Sequence, residues 1–239
     1  WRPAGRMLIC PPPALCKKRD DMSTARERGE QSGEIGFDRA WVFKLRKLIN
    51  ATPVANSVME SLRPLEVLGV DMEELAFILE DTRGEMQHKL TVLKISDTYS
   101  ADFALSIHVY SLDNPSIYGI VNGEMYSPQR DQGPGGISNR LRACLPYIKY
   151  LCVALEQLPE QFVFSGRCLR GVKWVFPNTD DHDPEQYFHT GKKVTWYEFK
   201  STSRKMELMY EPRFCGKDGA RTIFDIEACK VRACVRRTW

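Results

Sequence analysis

Three short segments carry the residues whose types and spacing could do chemistry. The first, Cys168-Leu169-Arg170-Gly171-Val172-Lys173-Trp174-Val175, has the β-branched and aromatic content of a strand, with an arginine and a glycine inside it. A strand arginine offers a rigid fork of donors and a permanent charge to phosphate or carboxylate oxygens. Gly171 beside it has no side chain and would let a flat ring approach the backbone closely. The second segment, Val194-Thr195-Trp196-Tyr197-Glu198-Phe199-Lys200-Ser201-Thr202-Ser203, reads as a strand that stops on three small hydroxyl residues. Such hydroxyls bond the backbone of a following turn, cap a following helix or face a ligand. The third, from Arg221 to Glu227, is a further strand that ends on the last glutamate of the chain. Each group also has an ordinary structural use. Arg170 could pair with a carboxylate, Trp196 and Phe199 could be core, and Ser201 and Ser203 could form a turn.

Taken in order, these segments resemble the mono-ADP-ribosyltransferase family, in its Arg–Ser–Glu branch of arginine-modifying toxins and vertebrate ecto-enzymes. The motifs are the interior Arg-Gly, the Val-x-Trp-x-x-Phe-x-Ser-Thr-Ser strand and the Thr-Ile-Phe-x-Ile strand. The similarity is strongest from about 162 to 227. It is weaker over 107–158, where Tyr118 and Asn122 precede a Leu-rich helix closing on Leu-Pro.

The resemblance implies an α+β fold, with a helical lobe over 37–158 packed on a mixed β part over 159–239. It implies NAD or NADP as the substrate, cleaved at the nicotinamide–ribose bond through an oxocarbenium-like state. ADP-ribose would pass to a side chain of an acceptor protein, arginine by analogy, or to water. No metal is implied, since nicotinamide departs from an already cationic nitrogen. Arg170 would hold the dinucleotide and Gly171 would bond the nicotinamide amide through its backbone. Ser201 would orient the site, with Thr202 and Ser203 beside it and Phe199 or Trp196 supporting the pocket wall. One element is missing: no Glu-x-Glu strand follows Glu227, so the carboxylate that would stabilise the cationic transition state is not found. The expectation is a C-terminal region truncated or altered, with strand edges exposed, and a chain poor in NAD chemistry. A protein that binds NAD or a partner without turnover is the alternative.

The bulk composition is compatible with this. The 239 residues are 43% hydrophobic and 27% charged, as in globular proteins. A net charge of +3 gives no argument for nucleic acid, and the short basic run from Lys230 to Arg237 has no interleaved aromatics to stack bases. No apolar run has transmembrane length. The eight cysteines include no Cys-x-x-Cys pair, and their loose spacing favours a reducing, cytoplasmic setting. Met7 to Pro13 is too short and proline-rich for a secretory signal. The opening Trp1 suggests a fragment or an upstream-extended translation.

The elements that must position these groups follow from periodicity. Residues 1–36, with their Pro11–Pro13 run and charged Lys17-to-Asp21 cluster, read as a disordered tail. Asp38 caps a basic amphipathic helix with Trp41, Val42, Leu45, Leu48 and Ile49 on one face. A second helix runs from Asp71 through Glu80, while Met86 to Ile95 fits helix or strand. Phe103 to Tyr110 is strongly apolar and ends at Asp113-Asn114-Pro115. Ile117 to Met125 is helical, and Gln132 to Gly136 is a loop without the lysine of a phosphate-binding motif. Ser138 caps a long helix whose apolar residues run from Leu141 to Leu158, and Pro146 should kink or divide it. Asp181, His182 and Asp183 form a polar loop with no second histidine at ligand spacing. Arg204 to Met209 is a short helix, and Ala228 to Trp239 shows no strand alternation.

Overall fold

A computed structural model of the chain describes residues 7–9, 39–172, 199–211, 215–219 and 221–235. Helices and strands are both present, so the fold is α+β at that level. The chain divides into two compact units. One comprises Trp1–Phe43 with Phe164–Arg237, the other Lys44–Val163 with Thr238–Trp239.

The second unit is helical. After α1 (Arg39–Ala51) come α2 (Val58–Leu62), a 3-10 segment (Arg63–Leu68), α3 (Met72–Val92), α4 (Ala101–Tyr110), α5 (Ile117–Tyr126) and α6 (Asn139–Glu156). Each start has a local cause. Asp71 accepts from the N–H groups of Glu73 and Glu74 at 2.9 and 3.0 Å, and those two carboxylates sit favourably at the positive end of α3. Ser57, Ser100 and Ser138 cap α2, α4 and α6 through their hydroxyl oxygens. The ambiguous stretch from Met86 resolves as helix, because Met86 and Leu90 continue the buried stripe begun by Leu75 and Leu79. The apolar Phe103-to-Tyr110 segment is helical as well.

Helix α6 is the centre of this unit, packing against α2, the 3-10 segment, α4 and α5. Leu141, Leu145, Ile148, Leu151 and Leu155 form the expected stripe. Cys144, Tyr147, Tyr150 and Ala154 are buried beside it, so more than one face is covered. That explains why Pro146 does not divide the helix: it forfeits one backbone hydrogen bond, while each buried leucine contributes roughly 1.5–3 kcal/mol. Burial pushes the Cys144 thiol up to about 12, with the Glu124 carboxylate adding to the effect, so this cysteine is an inert core group. Polar groups in this unit are used as ties. Tyr99 Oη donates to Ala154 O and Tyr147 Oη to Ser106 O, both at 2.8 Å. Asp102 accepts from Val58 N at 3.1 Å and from Arg83 Nη1 at 2.5 Å, joining the starts of α2 and α4 to the middle of α3.

The first unit holds the sheet. Its strands are β1 (Met7–Ile9), β2 (Val163–Val172), β3 (Lys200–Thr202) and β4 (Thr222–Val235), in spatial order β2-β4-β1-β3. β1 runs antiparallel to both neighbours: Leu8 lies opposite Ser201 of β3 and Cys234 of β4. Met7–Ile9 thus departs from the expected disordered tail, because it fills the ladder between two strands that would otherwise each present unpaired backbone groups. The strand expected to stop at Glu227 continues to Val235. Its pairing to β1 at 233–235 supplies the ladder hydrogen bonds that the weak side-chain alternation there did not announce. Between β3 and β4 lies the short helix α7 (Met206–Met209).

Tyr147 is fully buried, so Tyr147→Phe deletes one satisfied hydrogen bond and little volume. Urea denaturation should show a loss of about 0.5–1.5 kcal/mol. An unchanged midpoint would mean that the Ser106 carbonyl gains nothing from the phenol.

Candidate functional site

The hydroxyl segment is part of the strand, not a turn beyond it. Lys200–Thr202 forms β3, and Ser203 makes an antiparallel bridge to Leu169 of β2. The bridge has both hydrogen bonds, Leu169 N to Ser203 O at 2.6 Å and Ser203 N to Leu169 O at 2.8 Å. The arginine-bearing and hydroxyl-bearing segments are therefore joined main chain to main chain. Antiparallel alternation sets Arg170 of β2 level with Thr202 of β3, one step from the bridge.

Alternation also separates the two faces of β2. Leu169 faces a small core of Leu208, Met209 and Cys215, with Met206 and Ile223 packed against it. Gly171 faces the same core. A Cβ built there would overlap Cys215 Sγ and lie 3.1 Å from Met209 Sδ. The space beside this glycine, expected to admit a flat ring, is thus taken by two sulfur-bearing side chains. Cys168 and Arg170 belong to the other face. Cys168 is buried, and burial raises its pKa; the Thr202 hydroxyl beside it pulls the other way, while Glu227 and Asp225 add to the rise. Arg170 is half-buried, with Nε shut off from solvent.

The remaining expected site residues are distributed as follows. Phe199 is buried immediately before β3. Ser203 is buried and its Oγ accepts from Lys205 N at 3.0 Å, holding the turn that leads into α7. Thr202 is buried, and its Oγ1 makes no hydrogen bond of ordinary geometry. Ser201 contributes backbone to β3, opposite Leu8; its side chain lies outside the described residues, as do Trp196 and the Asp181-His182-Asp183 loop. Among the described residues, no three His, Cys, Asp or Glu side chains are grouped to hold a metal. No helix of the described residues is long and apolar enough to cross a membrane.

A cleft of about 310 Å³ opens on this unit, lined by residues 164–167 with Leu169, Arg204 and Met206. None of Arg170, Gly171, Thr202 or Ser203 lines it. The one sequence signal for this cleft is Gly166 inside a strand beside Arg167. Gly166 has φ +131°, a conformation that glycine adopts readily and other residues rarely. Arg167 at the cleft is held in a bidentate pair by Asp225 of β4, with Nε to Oδ1 at 2.8 Å and Nη2 to Oδ2 at 2.7 Å. The Arg167 guanidinium holds the Asp225 carboxyl below the usual range, and Asp225 in turn raises Arg167.

Two outcomes follow. Gly171→Ala should destabilise this unit by roughly 1–3 kcal/mol through overpacking, and Cys215→Ala in the same chain should recover part of the loss in a double-mutant cycle of melting. Strict additivity would show that the two positions do not meet. For Asp225, the folded pKa lies below the unfolded one, so its contribution is present above the unfolded value and is lost as pH falls through the folded one. Asp225→Asn should accordingly lower the melting temperature slightly at neutral pH and low salt, with the gap closing in acid and in about 1 M salt. A gap independent of pH would assign the effect to packing. Comparison with protein families, with characterised proteins and with solved structures gives no match for this chain.

Proposed function

We propose that this chain is a mono-ADP-ribosyltransferase-like protein of the Arg–Ser–Glu type, which takes NAD or NADP as its substrate. Its reaction is cleavage of the nicotinamide–ribose bond, with ADP-ribose passing to an acceptor protein side chain, arginine by analogy. The observation that supports the reading is the reciprocal hydrogen-bonded bridge between Leu169 and Ser203, because the motif needs its arginine and hydroxyl strands side by side.

In this reading Arg170 binds the pyrophosphate through its guanidinium, charge against charge. Gly171 offers its backbone groups to the carboxamide of nicotinamide. Ser201 orients the site, and Phe199, buried just before β3, supports the pocket wall. Within these 239 residues no Glu-x-Glu pair follows Glu227, so this reading assigns no carboxylate to the cationic transition state and expects weak turnover from this polypeptide. Asp225 and Glu227 share one face of β4 by alternation, but Asp225 is engaged by Arg167.

A second reading, a binding protein without turnover, is favoured by a specific observation: the side of Gly171 where a ring could lie is filled by Cys215 and Met209.

Titration of the full chain with NAD should show binding that falls about tenfold or more in Arg170→Ala, as expected for loss of a charge-assisted phosphate contact. Nicotinamide release should stay at background. Equal affinity of the two proteins would remove Arg170 from the site, and release well above background would show that another carboxylate serves.

A further inference from the structure

The cleft at residues 164–167, Leu169, Arg204 and Met206 does not include Arg170, and its lining combines two kinds of surface. One is apolar: Leu169, Met206 and the Phe164 ring. The other is cationic. Arg204 lies with its guanidinium carbon 5.8 Å from the centroid of the Phe164 ring, within the range of a cation–π contact. Arg204 is exposed and enters none of the ion pairs among the described residues. Arg167 is largely neutralised by Asp225, which uses Nε and Nη2 and leaves Nη1 outside that pair. Among the described residues no carboxylate lines the cleft, and Arg204 gives that lining an unneutralised positive charge. The backbone supports this shape. Gly166, at φ +131°, lets the Phe164 ring lie across it, with the ring carbon Cζ 3.6 Å from where a Cβ would stand. The volume, about 310 Å³, is at the lower end of ligand pockets, which run from roughly 300 to 1,000 Å³.

We infer that this cleft binds a small organic anion, an aryl phosphate or aryl carboxylate, with the oxyanion on Arg204 and the ring on the Phe164–Leu169–Met206 surface. A guanidinium within cation–π range of a ring keeps its N–H donors for an oxyanion. The apolar surface supplies what inorganic phosphate alone could not use. The site does not depend on the proposed NAD chemistry and uses none of its residues.

The test is calorimetric titration of the full chain with phenyl phosphate, benzoate, inorganic phosphate and benzyl alcohol. Saturable binding is expected for at least one aryl anion, and the tighter of the two identifies the headgroup. Inorganic phosphate and benzyl alcohol, each lacking half of the complement, should bind about tenfold more weakly or worse. Arg204→Ala should weaken the aryl anion by about tenfold, and Arg204→Lys by less, since the charge remains and the planar fork is lost. Both variants alter an exposed side chain, and unchanged melting would confirm that they fold. Arg170→Ala should leave aryl-anion affinity within about twofold, even where it abolishes NAD binding. Absence of saturable binding by either aryl anion would overturn the inference. So would equal affinity in Arg204→Ala, or a loss in Arg170→Ala matching that for NAD.

Discussion

Two main-chain hydrogen bonds between Leu169 and Ser203 decide what the β-rich unit can present. They fix which residue of β2 stands level with which residue of β3. Because side chains alternate along a strand, a slip of one residue would exchange every group between the two faces. With Leu169 opposite Ser203, the Leu169 and Gly171 side meets Leu208, Met209 and Cys215. Cys168 and Thr202 are then neighbours on the other side, where Arg170 belongs. The cleft of residues 164–167 with Leu169, Arg204 and Met206 does not take in Arg170.

This register is held by packing on one side and pairing on the other. The glycine at 171 is required by volume, since any side chain there would enter Cys215 and Met209. The hydroxyl of Ser203 is used locally, receiving the Lys205 N–H and turning the chain into α7. The same serine that bridges to Leu169 thus also shapes the turn that follows β3. β1 contributes from the opposite end of the sequence by pairing with both β3 and β4. Each strand of this small sheet is thereby in register with a neighbour, and the pairing is long-range in sequence.

In the helical unit, polar side chains tie one helix to another: Asp102 with Val58 N and Arg83, Tyr147 with Ser106 O, and Arg140 with Glu124 at 2.7 Å. The Arg140 and Glu124 pair joins α6 to α5, with Glu124 mostly buried and Arg140 mostly exposed. These contacts specify which helices meet, while the leucine stripes supply most of the stabilisation through burial. Cys144, buried and raised to about 12, belongs to this core and not to any reactive site.

The sequence by itself determined the elements whose signals are local. The Ser138 cap and the stripe from Leu141 to Leu158 announced α6, Asp71 announced α3, and the apolar β-branched runs announced β2 and the start of β4, because caps and periodicity act within a few residues of chain. The arginine, the glycine and the three hydroxyls were also legible as a set of chemical types. Only the tertiary structure decided that Met7–Ile9 is a strand, that β4 reaches Val235, that Gly171 faces sulfur atoms, and that Phe164, Arg167 and Arg204 share a cleft. Strand pairing and cavity walls join residues tens to hundreds of positions apart. Their energy comes from partners that no local window of the sequence contains.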